Sequence, residues 1–194
     1  HMMFKGSERF PAGTLDNRIE REGGIWNAQT SFDYTAYSET MPAHCIDLAL
    51  EIEADRMTNA LFDPREVEAE RTVIISEREG SENSPTFWLH EETRAAAFRV
   101  HPYHHQVLGD MDDLRSMTRD DLYQHYRTYY NPNNAIAVAV GDFDAGQMLE
   151  LIEAHYGGIP RGPEPPPVTR REPPQRGERT VRVEREGNAA HVYV

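Results

Sequence analysis

Two glutamates seven positions apart, Glu70 and Glu77, are the side chains whose type and spacing most directly suggest chemistry. They fall in a predicted helix, where seven residues rotate the chain by about 700°, so both carboxylates leave one face within roughly 20° of each other. Val73 and Ile74 lie at the margins of that face, and a carboxylate on a half-buried face needs a cation as partner. That partner is a metal ion, or else an arginine or lysine. Spacing alone favours ordinary ion pairing or exposure to solvent.

Histidine and cysteine are the other residue types that could bind a metal, and the chain has nine histidines and one cysteine. His104 and His105 are adjacent in a predicted loop, and we interpret them as loop residues rather than ligands. Cys45 lies within a helical apolar pattern, which predicts a small core residue and not a nucleophile. A single thiol forms no internal disulfide and does not identify the compartment. The isolated histidines are predicted to be surface or packing residues, namely His44, His90, His125, His155 and His191.

The charge and hydropathy of the chain limit its partners. The net charge of −13 argues against nonspecific binding to nucleic acid, because phosphates require a basic surface. The acidity would suit a basic peptide substrate, although solubility is the simpler explanation. No run of about eighteen apolar residues occurs, so the sequence predicts no membrane-spanning helix.

Apolar spacing, capping residues and helix breakers predict six α-helices. Asp63, Thr118 and Asp144 stand at three helix starts as N-caps. The predicted helices cover residues 20–24, 42–61, 63–79, 86–98, 118–131 and 144–158.

Four segments are predicted to be strands. Residues 27–41 and 179–186 alternate between polar and apolar side chains, which is typical of half-buried strands. Residues 135–140 form a continuous apolar run, which predicts a buried strand. Residues 189–194 begin another strand that stops abruptly, as expected of a truncated chain.

Seven short segments, taken in their order along the chain, resemble the pitrilysin, insulin-degrading-enzyme and mitochondrial-processing-peptidase family of zinc metallopeptidases. Each segment alone is weak, but together they cover nearly the whole chain. They are HMMFKGS at 1–7, GGIWNAQT at 23–30, YTAY at 34–37, ERTVIISE at 70–77, HPY at 101–103, YNPNN at 130–134 and GDF at 141–143. The chain resembles the zinc-carrying half of such a protein, truncated at both ends.

The resemblance implies a zinc site. In the family, two histidines of an inverted H-x-x-E-H motif and one distal glutamate bind the metal. His1 matches the second histidine, Glu77 matches the distal glutamate, and Glu70 matches a glutamate that supports the ligands from outside the coordination sphere. Three protein ligands leave one position for water, which the family uses to hydrolyse peptide bonds. Expression vectors also leave a His-Met start, but the family pattern expects these residues, and we interpret His1 as native.

The resemblance also implies how a peptide substrate binds. Asn27, Ala28, Gln29 and Thr30 match an exposed edge strand, to which the substrate adds as a further strand. The implied fold is α+β, a mainly antiparallel sheet with helices packed on one side. The family encloses its substrate between two such halves, in one chain or as two subunits, so a homologous partner is expected.

One partial peptidase domain is the implied organisation of residues 1–194. Residues 1–158 are expected to hold the main helices and strands, and residues 179–194 to begin further strands. The proline-rich residues 159–178 are expected to form an extended, mobile connection. A bacterial origin is expected, in either the cytoplasm or the periplasm.

The first histidine and the general-base glutamate of the motif would lie before His1. We therefore expect these 194 residues alone to bind zinc weakly and to lack peptidase activity. The alternative is a non-catalytic subunit that keeps the fold for assembly or peptide binding. The presence of Glu70 and Glu77 argues against it. The four residues before His1 would decide, since His-x-x-Glu indicates the protease.

Overall fold

The computed structural model describes residues 1–187 and 189–193, and the chain divides into two compact units. The first unit contains His1–Thr30, Tyr34–Glu70 and Thr118–Pro166. The second unit contains Ser31–Asp33, Arg71–Met117 and the residues from Pro167 onward.

Seven α-helices are assigned in the described part of the chain. They are α1 (Leu15–Arg21), α2 (Ile46–Asn59), α3 (Pro64–Glu82), α4 (Phe87–Ala97), α5 (Met111–Ser116), α6 (Arg119–Tyr129) and α7 (Ala145–Tyr156). All but α5 overlap predicted helices, and no helix was predicted for residues 111–116. Helix α1 begins earlier than predicted because its buried residues, Leu15 and Ile19, precede Glu20. None of the helices described is long and apolar enough to cross a membrane.

A β-hairpin replaces the single strand predicted for residues 27–41, and that prediction is wrong. Strand β1 (Ile25–Thr30) pairs antiparallel with β2 (Thr35–Thr40), and the register joins Ile25 to Thr40 and Thr30 to Thr35. The connection at 31–34 contains Ser31 and Asp33, residue types that favour turns. Because the connection has four residues, opposed residues such as Asn27 and Ser38 join an odd to an even position, so the side-chain alternation shifts by one position across the turn. The prediction of one continuous alternating strand overlooked this shift.

The predicted α+β class is confirmed, with an antiparallel sheet of two strands in the described residues. Two hydrophobic clusters fill the first unit. One contains Met3, Ala60, Phe62 and Tyr126, and the other contains Leu15, Ile19 and Ile52. The buried Tyr126 hydroxyl accepts a hydrogen bond from the Ala60 N–H at 3.1 Å and donates one to the Arg56 carbonyl at 3.1 Å. Helix α6 is thereby attached to the end of α2.

A buried arginine organises the second unit. The Arg78 side chain donates to Glu82 at 3.0 Å, to the Gly109 carbonyl at 2.9 Å and to Glu91 at 2.9 Å. Its guanidinium also lies 4.8 Å from the Phe87 ring centroid. A buried charge is tolerated here because it is paired and hydrogen-bonded.

The apolar run Ala135–Val140 is neither buried nor assigned as a strand, so that prediction is wrong. Ile136, Val138 and Val140 are 92%, 81% and 91% exposed. A strand of this kind is buried by neighbouring strands, and the sheet of the described residues contains β1 and β2 alone.

The segments after α7 also lack assigned strands. Val181 and Val183 are half-buried between exposed neighbours, so the predicted alternation is present, but residues 179–186 have no strand partner among the described residues. Residues 189–193 form no strand either, and Val194 lies outside the described part. The proline-rich stretch 159–178 is neither helix nor strand, as expected where prolines remove backbone donors.

Candidate metal-supporting site

Helix α3 carries both glutamates singled out in the sequence. Its start is fixed by local chemistry, because Asp63 accepts a hydrogen bond from the Arg65 N–H at 2.8 Å and Pro64 occupies the first helical position. The helix then continues without a break to Glu82. Glu70 lies in its first half and is buried, 6% exposed.

A short 3-10 turn, Met2–Phe4, positions the start of the chain. The Phe4 N–H donates to the His1 carbonyl at 2.9 Å, and Lys5 N–H donates to the Met2 carbonyl at 3.1 Å. Met3 is 5% exposed and belongs to the hydrophobic cluster with Tyr126. The buried methionine therefore anchors the turn, and the side chains of His1 and Lys5 flank it.

The carboxylate of Glu70 binds both of these side chains. One oxygen lies 2.6 Å from His1 Nδ1, and the other lies 2.7 Å from Lys5 Nζ. Burial alone would raise the pKa of Glu70, but hydrogen bonds from Lys5 and His1 outweigh it, and the pKa lies below its usual value of 4.5. The hydrogen bond between Lys5 and Glu70 also raises the pKa of Lys5. Glu70 is thus a buried, ionised group with two partners.

The contact to Nδ1 defines what His1 can still do. A histidine that binds zinc almost always donates its other ring N–H to a carboxylate or carbonyl, which fixes the tautomer and the ring orientation. Because Glu70 engages Nδ1, a metal bound by this ring would be bound through the other nitrogen, Nε2. The His1 side chain is 44% exposed, so solvent reaches it.

Glu77 lies in the second unit and is exposed, in contrast to Glu70. Of the two residues at the margins of the face shared by Glu70 and Glu77, Val73 is 51% exposed and Ile74 is half-buried. The sequence predicted that Glu70 needs a cation as partner, and Lys5 is that cation. Spacing along α3 could not reveal this partner. The HMMFKGS segment contained the signal, because it places a lysine four residues after His1.

The four residues predicted to bind peptide all lie on β1. Asn27, Gln29 and Thr30 are exposed and Ala28 is half-buried. Among the described residues β1 pairs with β2 on one side, and its other edge is unpaired. The Ala28 N–H is engaged by the Asn27 side chain at 2.8 Å.

An arginine surrounded by aromatic rings lies behind the hairpin and was missed in the sequence. The Arg56 guanidinium lies 4.4 Å from the Tyr37 ring centroid, 5.4 Å from that of Trp26 and 5.5 Å from that of Phe4. Such cation–π contacts are strongest where water is excluded, and Arg56 is 3% exposed. The Trp26 and Phe4 ring centroids lie 4.5 Å apart.

Two carboxylates share this arginine. Arg56 donates to Glu39 at 2.8 Å and to Glu53 at 2.9 Å. Burial raises the pKa of Glu39 to about 9, and the hydrogen bond and charge of Glu53 act in the same direction, against Arg56. The raised pKa favours a protonated Glu39 at neutral pH, hydrogen-bonded to Glu53 beside Arg56. The spacing of three residues between Glu53 and Arg56 on α2 could have indicated their ion pair. Glu39 lies on β2, so no local spacing connects it with Arg56.

Comparison with known proteins places these features in a wider group. Residues 1–111 match the family model described as Insulinase (Peptidase family M16), and residues 116–194 match the model described as Peptidase M16 inactive domain. The chain is 34% identical over 190 residues to "Zinc protease PqqE" of Helicobacter pylori. The matched region covers 96% of this chain and 43% of that protein. The chain thus spans less than half the length of that relative.

Two further matches extend the comparison. The human "Cytochrome b-c1 complex subunit 1, mitochondrial" is 29% identical over 160 residues, covering 82% of this chain and 33% of that protein. A solved structure described as a protease from Helicobacter pylori superposes with a TM-score of 0.86 at 33% identity, covering 89% of this chain and 42% of that one.

Proposed function

Because the chain belongs to the insulinase family of peptidases, peptidase family M16, we propose that it is part of a zinc-dependent endopeptidase that hydrolyses peptides or unstructured polypeptide segments. The observation that carries the proposal is the 2.6 Å contact between Glu70 and His1 Nδ1. A buried, ionised carboxylate bound to one nitrogen of an exposed histidine is the arrangement by which zinc sites orient their ligands.

His1, through Nε2, and Glu77 are the residues proposed to hold the zinc. Imidazole nitrogen and carboxylate oxygen are both ordinary zinc ligands, so the donor types fit the metal. When bound, zinc lowers the pKa of a water molecule and polarises a carbonyl group. Glu70 keeps the His1 ring in one tautomer and orientation, and Lys5 balances the second oxygen of Glu70.

Strand β1 is proposed to bind the substrate backbone through Asn27, Ala28, Gln29 and Thr30. The proposal is supported by the exposure of three of these residues and by the unpaired edge of β1 in the described residues. An added strand is held by main-chain hydrogen bonds, so it requires an extended segment more than a particular sequence. A second homologous half or subunit is proposed to enclose that segment.

The 194 residues alone are proposed to be inactive. They contain no H-x-x-E-H motif, so they supply one histidine to the site and no general-base glutamate between two histidines. Zinc binding by this chain alone is correspondingly proposed to be weak.

A non-catalytic subunit of the same fold is the second candidate function. It is favoured by the similarity to the human cytochrome b-c1 complex subunit, whose name describes a complex subunit rather than a protease. In that case the chain would serve assembly or peptide binding. Pairing of His1 with Glu70 supports the protease instead, because an assembly role does not require an oriented histidine.

The test uses the full-length gene product that contains this chain. Its zinc content and its rate of hydrolysis of an unstructured, basic peptide are measured. Glu77→Gln is expected to lose zinc and to lower kcat/KM by more than about 100-fold, whereas Glu70→Gln is expected to lower it by about 10- to 100-fold. Glu79→Gln is the matched control, since it is an exposed glutamate two residues further along the same helix.

Full zinc content and activity in Glu77→Gln would refute the proposed ligand. A wild-type protein that binds the peptide but never cleaves it, with or without zinc, would favour the non-catalytic subunit.

A further inference from the structure

A second group of metal-binding side chains lies in the first unit, apart from His1, Glu70 and Glu77. Glu22, His44 and Cys45 each offer one ligand atom, and these atoms all lie within 4.8 Å of one another. The three residues supply a carboxylate, an imidazole and a thiol. No motif in the sequence suggested this grouping, because Glu22 is separated from the other two by more than twenty positions.

The register of the hairpin brings the three residues together. Ile25 at the start of β1 pairs with Thr40 at the end of β2, so the residues just before β1 meet those just after β2. Glu22 follows α1, and a positive φ of 76° at Gly23 turns the chain into β1. His44 and Cys45 belong to the 3-10 turn Ala43–Cys45 that leads into α2.

Gly24 keeps the two segments close. A Cβ at this position would overlap the Met41 sulfur and stand 2.9 Å from Cγ2 of Ile19. The base of the hairpin therefore packs directly on the segment after β2, and the backbone positions of the three side chains are fixed by the fold rather than by loop conformation.

Cys45 is buried and is already directed at the carboxylate. Cys45 is 5% exposed, and its thiol donates a hydrogen bond to Glu22 Oε2 at a distance of 3.5 Å. Burial, followed by the hydrogen bond and charge of Glu22, raises the pKa of Cys45. The thiol proton thus lies between sulfur and carboxylate, and His44 is exposed beside it.

We propose that Glu22, His44 and Cys45 form a binding site for a borderline-soft divalent cation of the zinc class, separate from the proposed catalytic site. Zinc lies about 2.3 Å from sulfur and about 2.0–2.2 Å from nitrogen or oxygen, so tetrahedral donors are roughly 3.3–3.8 Å apart. The three donors need to move by about 1 Å to reach that spacing, and the exposed His44 can rotate. Binding releases the thiol proton to solvent and leaves one coordination position for water.

Cobalt titration of the 194-residue chain tests the proposal, because a cobalt–thiolate bond gives a near-ultraviolet charge-transfer band. Cys45 is the only cysteine, so the band reports this site alone. The wild type is expected to develop the band with one equivalent of Co²⁺. Glu22→Gln and His44→Gln are each expected to weaken binding at least about tenfold, and Cys45→Ser to abolish the band.

Matched controls separate this site from other carboxylates and histidines. Glu20→Gln and His191→Asn remove an exposed glutamate and an exposed histidine, and the band is expected to be unchanged in both. Glu77→Gln is also expected to keep it, so the outcome is independent of the proposed catalytic zinc. Absence of the band in the wild type would overturn the proposal. Wild-type affinity for Co²⁺ in either Glu22→Gln or His44→Gln would also overturn it. Both substitutions lie outside the core, and circular dichroism verifies that the variants fold.

Discussion

At the residue scale, Glu70 shows how a buried charge is kept ionised. Its two oxygens are divided between His1 and Lys5, which lie on one short turn anchored by Met3. Replacing a buried ion pair by apolar groups can be neutral, but removing one partner leaves the other charge uncompensated. The effect of a substitution here therefore depends on which partner remains.

Glu70→Gln is expected to lower the free energy of unfolding at pH 7 by about 1–2 kcal/mol. The pKa of Glu70 is depressed in the folded protein, so its contribution is present above about pH 4.5 and is lost as the pH falls through the folded value. The wild type and the variant should therefore converge in acid. Urea unfolding between about pH 3 and 7 measures the difference, with Glu79→Gln as control. A constant difference across that range would contradict the assignment.

The pair of Glu39 and Glu53 predicts the opposite pH dependence. The pKa of Glu39 is raised to about 9 in the folded protein, so between about pH 5 and 9 the folded state binds a proton that the unfolded chain has released. Stability is expected to fall as the pH rises through this window. Glu39→Gln, which resembles the protonated form, should flatten the decline in thermal unfolding, whereas Glu51→Gln should retain it. An unchanged or steeper decline in Glu39→Gln would contradict the raised pKa of Glu39.

At the element scale, helix starts are set by local chemistry. Thr118 accepts a hydrogen bond from the Asp121 N–H at 3.2 Å, and Asp121 accepts one from the Thr118 N–H at 2.8 Å, which completes a capping box. Asp144 likewise accepts from the Gln147 N–H at 2.9 Å. Both caps were predicted from the sequence and are confirmed.

Thr118→Ala is expected to destabilise the protein by about 1 kcal/mol, because the Asp121 N–H loses its acceptor and the Asp121 carboxylate loses the Thr118 hydroxyl. Thr128→Ala, in the same helix, is the control, since its hydroxyl bonds the Gln124 carbonyl within the helix and alanine is the better helix former. Chemical denaturation compares the two. An equal loss in both variants would indicate that the cap contributes nothing specific.

The helices were largely predictable because caps, breakers and apolar spacing act within a few residues. The hairpin and the strand at 135–140 were not, since turn placement within an alternating run and burial both depend on distant neighbours. The contact between His1 and Glu70 spans 69 positions. Only the resemblance, and no rule of spacing, associated these two residues.

At the scale of the whole molecule, the apolar run Ala135–Val140 is the largest departure from expectation. Ile136, Val138 and Val140 are each more than four-fifths exposed, and backbone groups of an unpaired extended segment favour association with another chain. Exposed apolar surface of this kind usually marks an interface or an aggregation site.

Val138→Lys is expected to reduce self-association of the 194-residue chain without changing its unfolding temperature, because the side chain is 81% exposed. Sedimentation velocity at increasing concentration measures the effect. Val168→Lys is the control, since Val168 is 69% exposed but lies outside the run. Equal reduction in the two variants would show that added charge, and not the run, is responsible.

The burial of Cys45 has a practical consequence for spectroscopy. The only thiol is 5% exposed, so a maleimide dye would react first with a cysteine introduced at a surface position. Donor and acceptor fluorophores could therefore be attached at chosen pairs of sites without first removing the native cysteine. Energy transfer between dyes on the two units would then report their separation in solution.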